Sequence, residues 1–196
     1  MTTANKITIF RILLIPFFAV LLIYHGRTGH DLYRLLALLT FLLAAVSDGI
    51  DGYIARRYNQ RSELGAILDP LADKLLLVVG LVLLTINNRP HLEPIPLWLT
   101  ATVFSRDFIL FIGMVILHYT FGQVKVRPHW TGKIATVLQM IVIVWCLLEW
   151  DTRGLTSWSV AAASFTGMSS VFYLVDGIRQ LSRSPTSAAS PQQEEN

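Results

Sequence analysis

Four aspartates lie close together in the chain, at spacings that match one face of a helix. Asp48 and Asp51 are three residues apart, and Asp69 and Asp73 are four residues apart. Residues at either spacing are neighbours on a helix surface, so each pair presents two carboxylates side by side. Carboxylate oxygens suit Mg²⁺ and Mn²⁺, and a pair of such ions is a common device for reactions at phosphorus. The spacing therefore predicts a divalent-metal site that uses all four aspartates.

Long apolar segments flank these aspartates. The chain has 196 residues, of which 53% are hydrophobic and 15% are charged, and its mean hydropathy is +0.52. Long apolar runs favour a membrane protein over a soluble bundle with an unusually apolar core. Six segments are close to the length of a spanning helix: Ile7–Tyr24, Leu32–Ile54, Leu68–Ile86, Leu97–Leu117, Ile134–Leu148 and Leu155–Ile178. We expect an all-α polytopic protein in the lipid bilayer, with six transmembrane helices and an intramembrane polar metal site.

The Lys and Arg residues divide unevenly between the two ends of these six segments. Of the 16 in the chain, Arg106 lies inside a segment and four lie at one end, which leaves eleven at the other. The smaller group consists of Arg27, Arg34, Arg89 and Arg153. Because basic residues accumulate on the cytoplasmic side, both termini and the aspartates are expected to face the cytoplasm from the inner membrane. The net charge of +3 is too small and too scattered to indicate a nucleic-acid partner.

The end of the chain has a different composition from the rest. Residues 182–196 are rich in Ser, Pro, Gln and Glu, and they contain no long apolar run. Such a segment buries too little apolar surface to fold. We therefore expect a membrane domain over residues 1–181 and a disordered tail over residues 182–196.

Two different roles for the aspartates compete with a catalytic metal site. A single aspartate here would be an ordinary helix cap, and Asp69 precedes Pro70 as a capping residue often does. A small cation transporter would also place carboxylates within the membrane. Neither role accounts for the fixed positions of Gly52, Ala55 and Gly65 between the two pairs.

The stretch from Ser47 to Lys74 resembles the signature of the CDP-alcohol phosphatidyltransferase family, D-x2-D-G-x2-A-R-x8-G-x3-D-x3-D. Every fixed position is filled, by Asp48, Asp51, Gly52, Ala55, Arg56, Gly65, Asp69 and Asp73. The six expected helices are also similar to the fold of that family. The resemblance implies an enzyme that moves a phosphatidyl group from CDP-diacylglycerol to a glycerol-containing alcohol.

The resemblance also implies a role for each of these residues. The four aspartates would hold Mg²⁺ or Mn²⁺, in two ions, and Asp73 would be the base that activates the acceptor hydroxyl. The family is often dimeric, so a homodimer is a further implication. The donor would be bound by Asp48, Gly52, Ala55, Arg56, Gly65 and Asp69.

Three features concern the acceptor alcohol. The opening N-x2-T-x2-R, which ends at Arg11, is similar to family members that use glycerol 3-phosphate or phosphatidylglycerol. The stretch that begins Gly132–Lys133 is similar to the G-K-x-K-T-x2-Q motif of members that use glycerol 3-phosphate. Arg106 interrupts an apolar segment, where a cation is suited to an anionic ligand. We therefore expect the acceptor to be bound by Arg11, Arg106 and Lys133.

Two positions point to a different acceptor. Asp107 stands where glycerol 3-phosphate enzymes of the family usually have Glu, and Ala135 replaces the second lysine of their motif. The Arg-Asp pair is more like the members that make cardiolipin from phosphatidylglycerol, and Ala135 removes a cation that a site for the glycerol 3-phosphate dianion would use. The leading expectation is nevertheless transfer to glycerol 3-phosphate, which gives phosphatidylglycerophosphate, with cardiolipin synthesis as the alternative.

Overall fold

All regular structure in the described part of the chain is α-helical. The structure is a computed structural model and describes residues 3–57, 63–86, 91–121 and 130–182. Six helices were expected from the sequence, and six are found there: α1 (Thr3–Thr28), α2 (Asp31–Arg57), α3 (Glu63–Ile86), α4 (Leu97–Phe121), α5 (Trp130–Leu147) and α6 (Thr152–Ser182). The expected tail lies outside the described residues, apart from Ser182.

Within this part of the chain, four helical segments are long and apolar enough to cross a bilayer. They are Thr8–Thr28, Asp31–Gly49, Trp130–Leu147 and Thr152–Asp176. Many large apolar side chains on the helices are exposed, among them Leu13, Phe17, Phe108 and Phe111. Exposed apolar surface on this scale would be costly in water but is the normal outer surface of a protein in lipid. The protein is therefore an integral membrane protein.

The helices extend beyond the apolar segments that predicted them. The first apolar segment was expected to end at Tyr24, but α1 continues to Thr28. It ends there because Gly29 adopts a positive φ of 67° and its N–H donates to the carbonyl of His25 at 2.8 Å. This is a common helix stop, which glycine adopts without steric cost. The prediction was wrong because it took the helix end from the loss of hydrophobicity rather than from the capping glycine.

Other helix ends also differ from the expected segments. Helix α2 continues to Arg57 rather than Ile54, α3 begins at Glu63 rather than Leu68, and α5 begins at Trp130 rather than Ile134. At the start of α6, the Asp151 carboxylate accepts a hydrogen bond from the Gly154 N–H at 3.0 Å. A capping aspartate of this kind satisfies a backbone donor that the helix leaves unpaired.

The helices pack around one apolar core. Helix α1 packs against α2 and α3, and α6 packs against α4 and α5. Phe18 of α1, Phe41 of α2, Leu81 of α3 and Ile143 of α5 are fully buried in the core. The short α1–α2 and α5–α6 connections make each of those pairs antiparallel. Both connections lie at one end of the bundle, because Arg34, near the start of α2, pairs with Glu149 in the α5–α6 connection. We call this the far end, and the opposite one the aspartate end.

An ion pair ties α2 to the connection after α5 at the far end. Arg34 pairs with the Glu149 carboxylate and lies 3.3 Å from Asp31 Oδ1. Glu149 follows the end of α5 with a positive φ of 53°, a conformation that is costly for a residue other than glycine. The Trp150 N–H donates to the Trp145 carbonyl across this position, as in a helix-ending motif that usually contains glycine. The ion pair explains why a strained glutamate stands there.

We predict that Glu149→Gln destabilises the protein more than Glu149→Gly does. Both variants lose the ion pair with Arg34, which is worth about 1–2 kcal/mol for a charged hydrogen bond that is partly exposed. Glycine regains part of this loss, about 1 kcal/mol, because a positive φ is unstrained for it. Thermal unfolding in detergent measures the difference. Equal stability of Glu149→Gln and the unchanged protein would contradict a stabilising ion pair.

Candidate active site at the aspartate end

The tight turn after α1 brings Arg11 level with Asp48. Arg11 lies 18 residues before Gly29, and Asp48 lies 19 residues after it. At a rise of 1.5 Å per residue, both are therefore about 27 Å from the turn. In an antiparallel hairpin, equal distances from the turn place two residues side by side. A basic residue that seems isolated in the sequence thus meets a signature aspartate in the fold.

The guanidinium of Arg11 joins Asp48 to Asp73. Arg11 Nη1 is 2.9 Å from Asp48 Oδ1 and 2.9 Å from Asp73 Oδ1. The Arg11 side chain is completely buried, whereas the Asp48 and Asp73 side chains are 40% and 33% exposed. One cation from α1 therefore compensates carboxylates from α2 and α3, which remain accessible from outside the bundle.

The other signature residues lie on the same two helices. Asp48 of α2 and Asp73 of α3 lie close together, because both contact the same nitrogen of Arg11. Six predicted site residues have side chains outside the described part of the structure, namely Asp51, Gly52, Ala55 and Arg56 on α2 and Gly65 and Asp69 on α3.

The described donors suit a hard divalent cation. Asp48 and Asp73 supply carboxylate oxygens only, and each side chain is partly exposed. Oxygen donors of this type are the ligands of Mg²⁺ and Mn²⁺. Among the side chains that the structure describes, no group of three or more His, Cys, Asp or Glu forms a metal cluster. The full set of four aspartates therefore stays a prediction, since two of the four side chains lie outside that description.

A second charged cluster lies on the other side of α3. Lys74 follows Asp73 in the sequence, but its Nζ is 2.5 Å from Asp107 Oδ1 on α4. Arg106 Nη1 is 3.8 Å from the same oxygen, and Arg106 Nη2 donates to Ser169 Oγ on α6 at 3.3 Å. Asp107 is thus paired more closely with Lys74 than with Arg106, its neighbour in the chain. Adjacent residues of α3 reach two different charged clusters.

The three predicted acceptor residues have three different surroundings. Arg11 contacts the aspartates, Arg106 is buried beside Ser169, and Lys133 is exposed on α5. Sequence reasoning missed Ser169 altogether. The signal for it was weak but present, because polar residues recur at helical spacing along the otherwise apolar α6. Those that the structure buries are Ser159, Thr166 and Ser169.

Comparison with known proteins shows which family this chain resembles. The family model for CDP-alcohol phosphatidyltransferases matches residues 1–172. The chain is 37% identical over 141 residues to the CDP-diacylglycerol–glycerol-3-phosphate 3-phosphatidyltransferases of Escherichia coli (strain K12) and Shigella flexneri serotype 5b (strain 8401). In each case the match covers 72% of this chain and 74% of the relative.

We predict that Arg11→Met lowers the stability of the protein, and more so in EDTA than in Mg²⁺. Methionine fills similar space but leaves two carboxylates without their cation, at a cost of about 2 kcal/mol. Divalent ions that bind the carboxylates offset part of that cost. Thermal unfolding in detergent, with and without the metal, measures both effects. The matched control is Arg27→Met, at an exposed position of the same helix; an equal shift in that variant would rule out a special role for Arg11.

Proposed function

Because the chain belongs to the CDP-alcohol phosphatidyltransferase family, we propose that it transfers a phosphatidyl group from CDP-diacylglycerol to glycerol 3-phosphate. The products are phosphatidylglycerophosphate and CMP. The observation that carries this choice of acceptor is the 37% identity to relatives named for that reaction, over nearly three quarters of both chains. The ion pairs of Arg11 support it, because they bring together two of the four signature aspartates.

In this proposal the chain's residues bind the metal and the donor, orient the base and transfer one proton. Asp48, Asp51 and Asp69 hold the metal, and Asp48 and Asp69 also bind the donor with Gly52, Ala55, Arg56 and Gly65. Asp73 removes the proton from the acceptor hydroxyl. The acceptor oxygen then bonds to the phosphorus that carries the lipid, and the bond from that phosphorus to CMP breaks. Arg11 orients Asp73 through the 2.9 Å contact to Oδ1.

Two Mg²⁺ or Mn²⁺ ions are part of the proposal. The chemistry they supply when bound is neutralisation of the donor diphosphate and polarisation of the reacting phosphorus. The carboxylates of Asp48 and Asp73 fit this role because they lie close together and remain accessible. Asp73 would both contact metal and act as the base.

The charge of the cluster on the other side of α3 supports an anionic acceptor. Among the described residues of this cluster, Lys74 and Arg106 carry two positive charges and Asp107 carries one negative charge, which is a surplus of one positive charge. Because Lys74 is closer to the carboxylate, the surplus resides on Arg106. Arg106, Lys133 and Arg11 are the proposed acceptor residues. Synthesis of cardiolipin from phosphatidylglycerol, which Asp107 and Ala135 favoured in the sequence, is the alternative product to test.

The proposal includes a placement in the membrane. Residues 1–181 form the membrane domain, all six helices cross the inner membrane, and residues 182–196 form a disordered tail. Both termini and the aspartates face the cytoplasm, where CMP is released. The basic residues support this orientation because the aspartate end carries most of them. We also propose a homodimer, because members of the family are often dimeric.

The first test of the function is the identity of the lipid product. Purified protein in detergent, given CDP-diacylglycerol and Mg²⁺, should form phosphatidylglycerophosphate with glycerol 3-phosphate and release CMP. It should form no cardiolipin with phosphatidylglycerol. Mass spectrometry of the lipids together with a CMP assay measures both outcomes. Cardiolipin as the main product would show that phosphatidylglycerol, and not glycerol 3-phosphate, is the acceptor. Absence of CMP with either acceptor would contradict the proposed transferase activity.

Turnover should depend on a divalent cation. The aspartates repel one another and the anionic donor unless cations neutralise them. We expect chelation to abolish CMP release and added Mg²⁺ or Mn²⁺ to restore it, whereas Ca²⁺, with its looser coordination, should restore less. Full activity after exhaustive chelation would contradict the proposed metal site.

Asp73→Asn and Arg56→Ala should have different kinetic effects. Loss of a general base typically costs about 10²–10⁴ in rate, so Asp73→Asn should lower kcat while it leaves much of the donor affinity. Arg56→Ala removes a cation near the diphosphate and should weaken donor binding by about 1.5–3 kcal/mol. The measurements are kcat and direct binding of CDP-diacylglycerol.

The matched control for the first variant is Asp31→Asn. It makes the same chemical change at an exposed far-end aspartate of α2, so kcat should stay unchanged. Near-normal kcat in Asp73→Asn would show that Asp73 is not the base. Loss of all donor affinity in that variant would instead assign Asp73 to metal binding alone.

A further inference from the structure

Two buried polar pairs connect α6 to its neighbours α5 and α4 within the apolar bundle. Gln139 of α5 is buried, and its Nε2 donates to Thr166 Oγ1 of α6 at 3.1 Å. One turn nearer the aspartate end, Ser169 is fully buried and accepts the hydrogen bond from Arg106. Buried polar pairs within the membrane are costly to place and tend to mark functional regions. The two pairs differ in one respect, because only the second includes a charge.

The charge of Arg106 is poorly compensated within the described structure. Its residue surface is 9% exposed. The nearest described carboxylate oxygen, on Asp107, lies 3.8 Å from Arg106 Nη1 and only 2.5 Å from Lys74 Nζ. Arg106 Nε is buried and has no hydrogen-bond partner among the described groups, as is also true of Arg11 Nε and Arg34 Nε. Arg106 differs from those two arginines in its lack of a close carboxylate. A desolvated cation in this position is costly unless an anion binds it.

Three helices determine where the guanidinium lies. Helix α4 carries Arg106, and α6 supplies the Ser169 hydroxyl. On α5, a Cβ at Gly132 would lie 3.0 Å from Arg106 Nη2, 3.3 Å from Ser169 Oγ and 3.7 Å from Tyr173 Oη. The absence of a side chain at Gly132 therefore lets the guanidinium and the hydroxyl meet against the α5 backbone. Any larger residue there would displace one of them.

We propose that Ser169 and Gly132 are positioning residues that orient Arg106 for the phosphate of a phosphomonoester acceptor. Ser169 engages one N–H at Nη2 and Gly132 leaves the space for that contact, while the Nε N–H remains for an acceptor oxygen. An orientation fixed in advance reduces the entropy lost on binding. The two residues thereby set the affinity for the acceptor and leave the affinity for the donor unchanged. This inference rests on the proposed function, in which Arg106 binds glycerol 3-phosphate.

The test separates acceptor affinity from donor affinity and from stability. Ser169→Ala and Gly132→Ala should each raise the KM for glycerol 3-phosphate about tenfold, the effect of one hydrogen bond to a charged group. The KM for CDP-diacylglycerol and kcat should change less than about twofold, within ordinary variation for a residue that acts on acceptor binding alone. The two variants lie on different helices, so one remains informative if the other does not fold.

The matched control is Thr166→Val. It also removes a buried α6 hydroxyl that accepts a side-chain hydrogen bond, but that bond comes from Gln139 and not from Arg106. It should lower the thermal stability as much as Ser169→Ala does, without any change in the KM for glycerol 3-phosphate. Equal KM values in Ser169→Ala and Thr166→Val would overturn the proposal.

A double-mutant cycle tests whether Ser169 acts through Arg106. Arg106→Gln alone should raise the KM for glycerol 3-phosphate at least as much as Ser169→Ala, and adding Ser169→Ala to it should cause no further rise. A further rise would show that Ser169 acts independently and would overturn the inference. No effect of Arg106→Gln would overturn both the inference and the acceptor role of Arg106, whereas the assignment of the reaction rests on product formation by the unchanged protein.

Discussion

The arrangement of the aspartate end depends on one buried guanidinium. Arg11 is completely buried, and a single nitrogen of it lies 2.9 Å from carboxylates on two other helices. Two carboxylates that contact the same nitrogen are close to each other, and two negative charges so close repel strongly in a medium of low dielectric constant. A cation between them turns that repulsion into an attraction that α1, α2 and α3 share. The geometry of the proposed metal site is thus set partly by a helix that supplies no ligand to it.

Helix α3 separates two clusters of opposite character. Asp73 faces a cluster with two described carboxylates and one guanidinium, whereas Lys74, the next residue, faces a cluster with two cations and one carboxylate. Consecutive helix residues point about 100° apart, so neighbours in sequence serve different surroundings. An excess of negative charge suits metal ions, and an excess of positive charge suits an anion. If the proposed function is correct, donor and acceptor are bound on two sides of one helix, with the base on its donor side.

The sequence predicted the number of helices but not their ends or contacts. Six apolar segments became six helices because a bilayer-length apolar run has few alternatives. Their ends were misplaced because capping residues, such as Gly29 after α1 and Asp151 before α6, and not hydropathy, determine where a helix begins or ends. The contact between Arg11 and Asp48 was missed although the turn position implied it. The contact between Arg106 and Ser169 could not be predicted, since it depends on how α4 and α6 pack and 63 residues separate the two in sequence.

The arginines that the structure buries or half-buries differ in what compensates their charge. Arg34 at the far end has two carboxylates, Asp31 and Glu149, and Arg11 also has two. Arg106 has the Ser169 hydroxyl at 3.3 Å, and the Asp107 carboxylate beside it is paired with Lys74. A residue kept only for stability gains from complete compensation, because a buried unpaired charge is among the costliest features of a folded chain. In the proposed function, the anionic acceptor is the ligand that supplies the charge that Arg106 lacks. The site for that ligand adjoins the helix that carries Asp73.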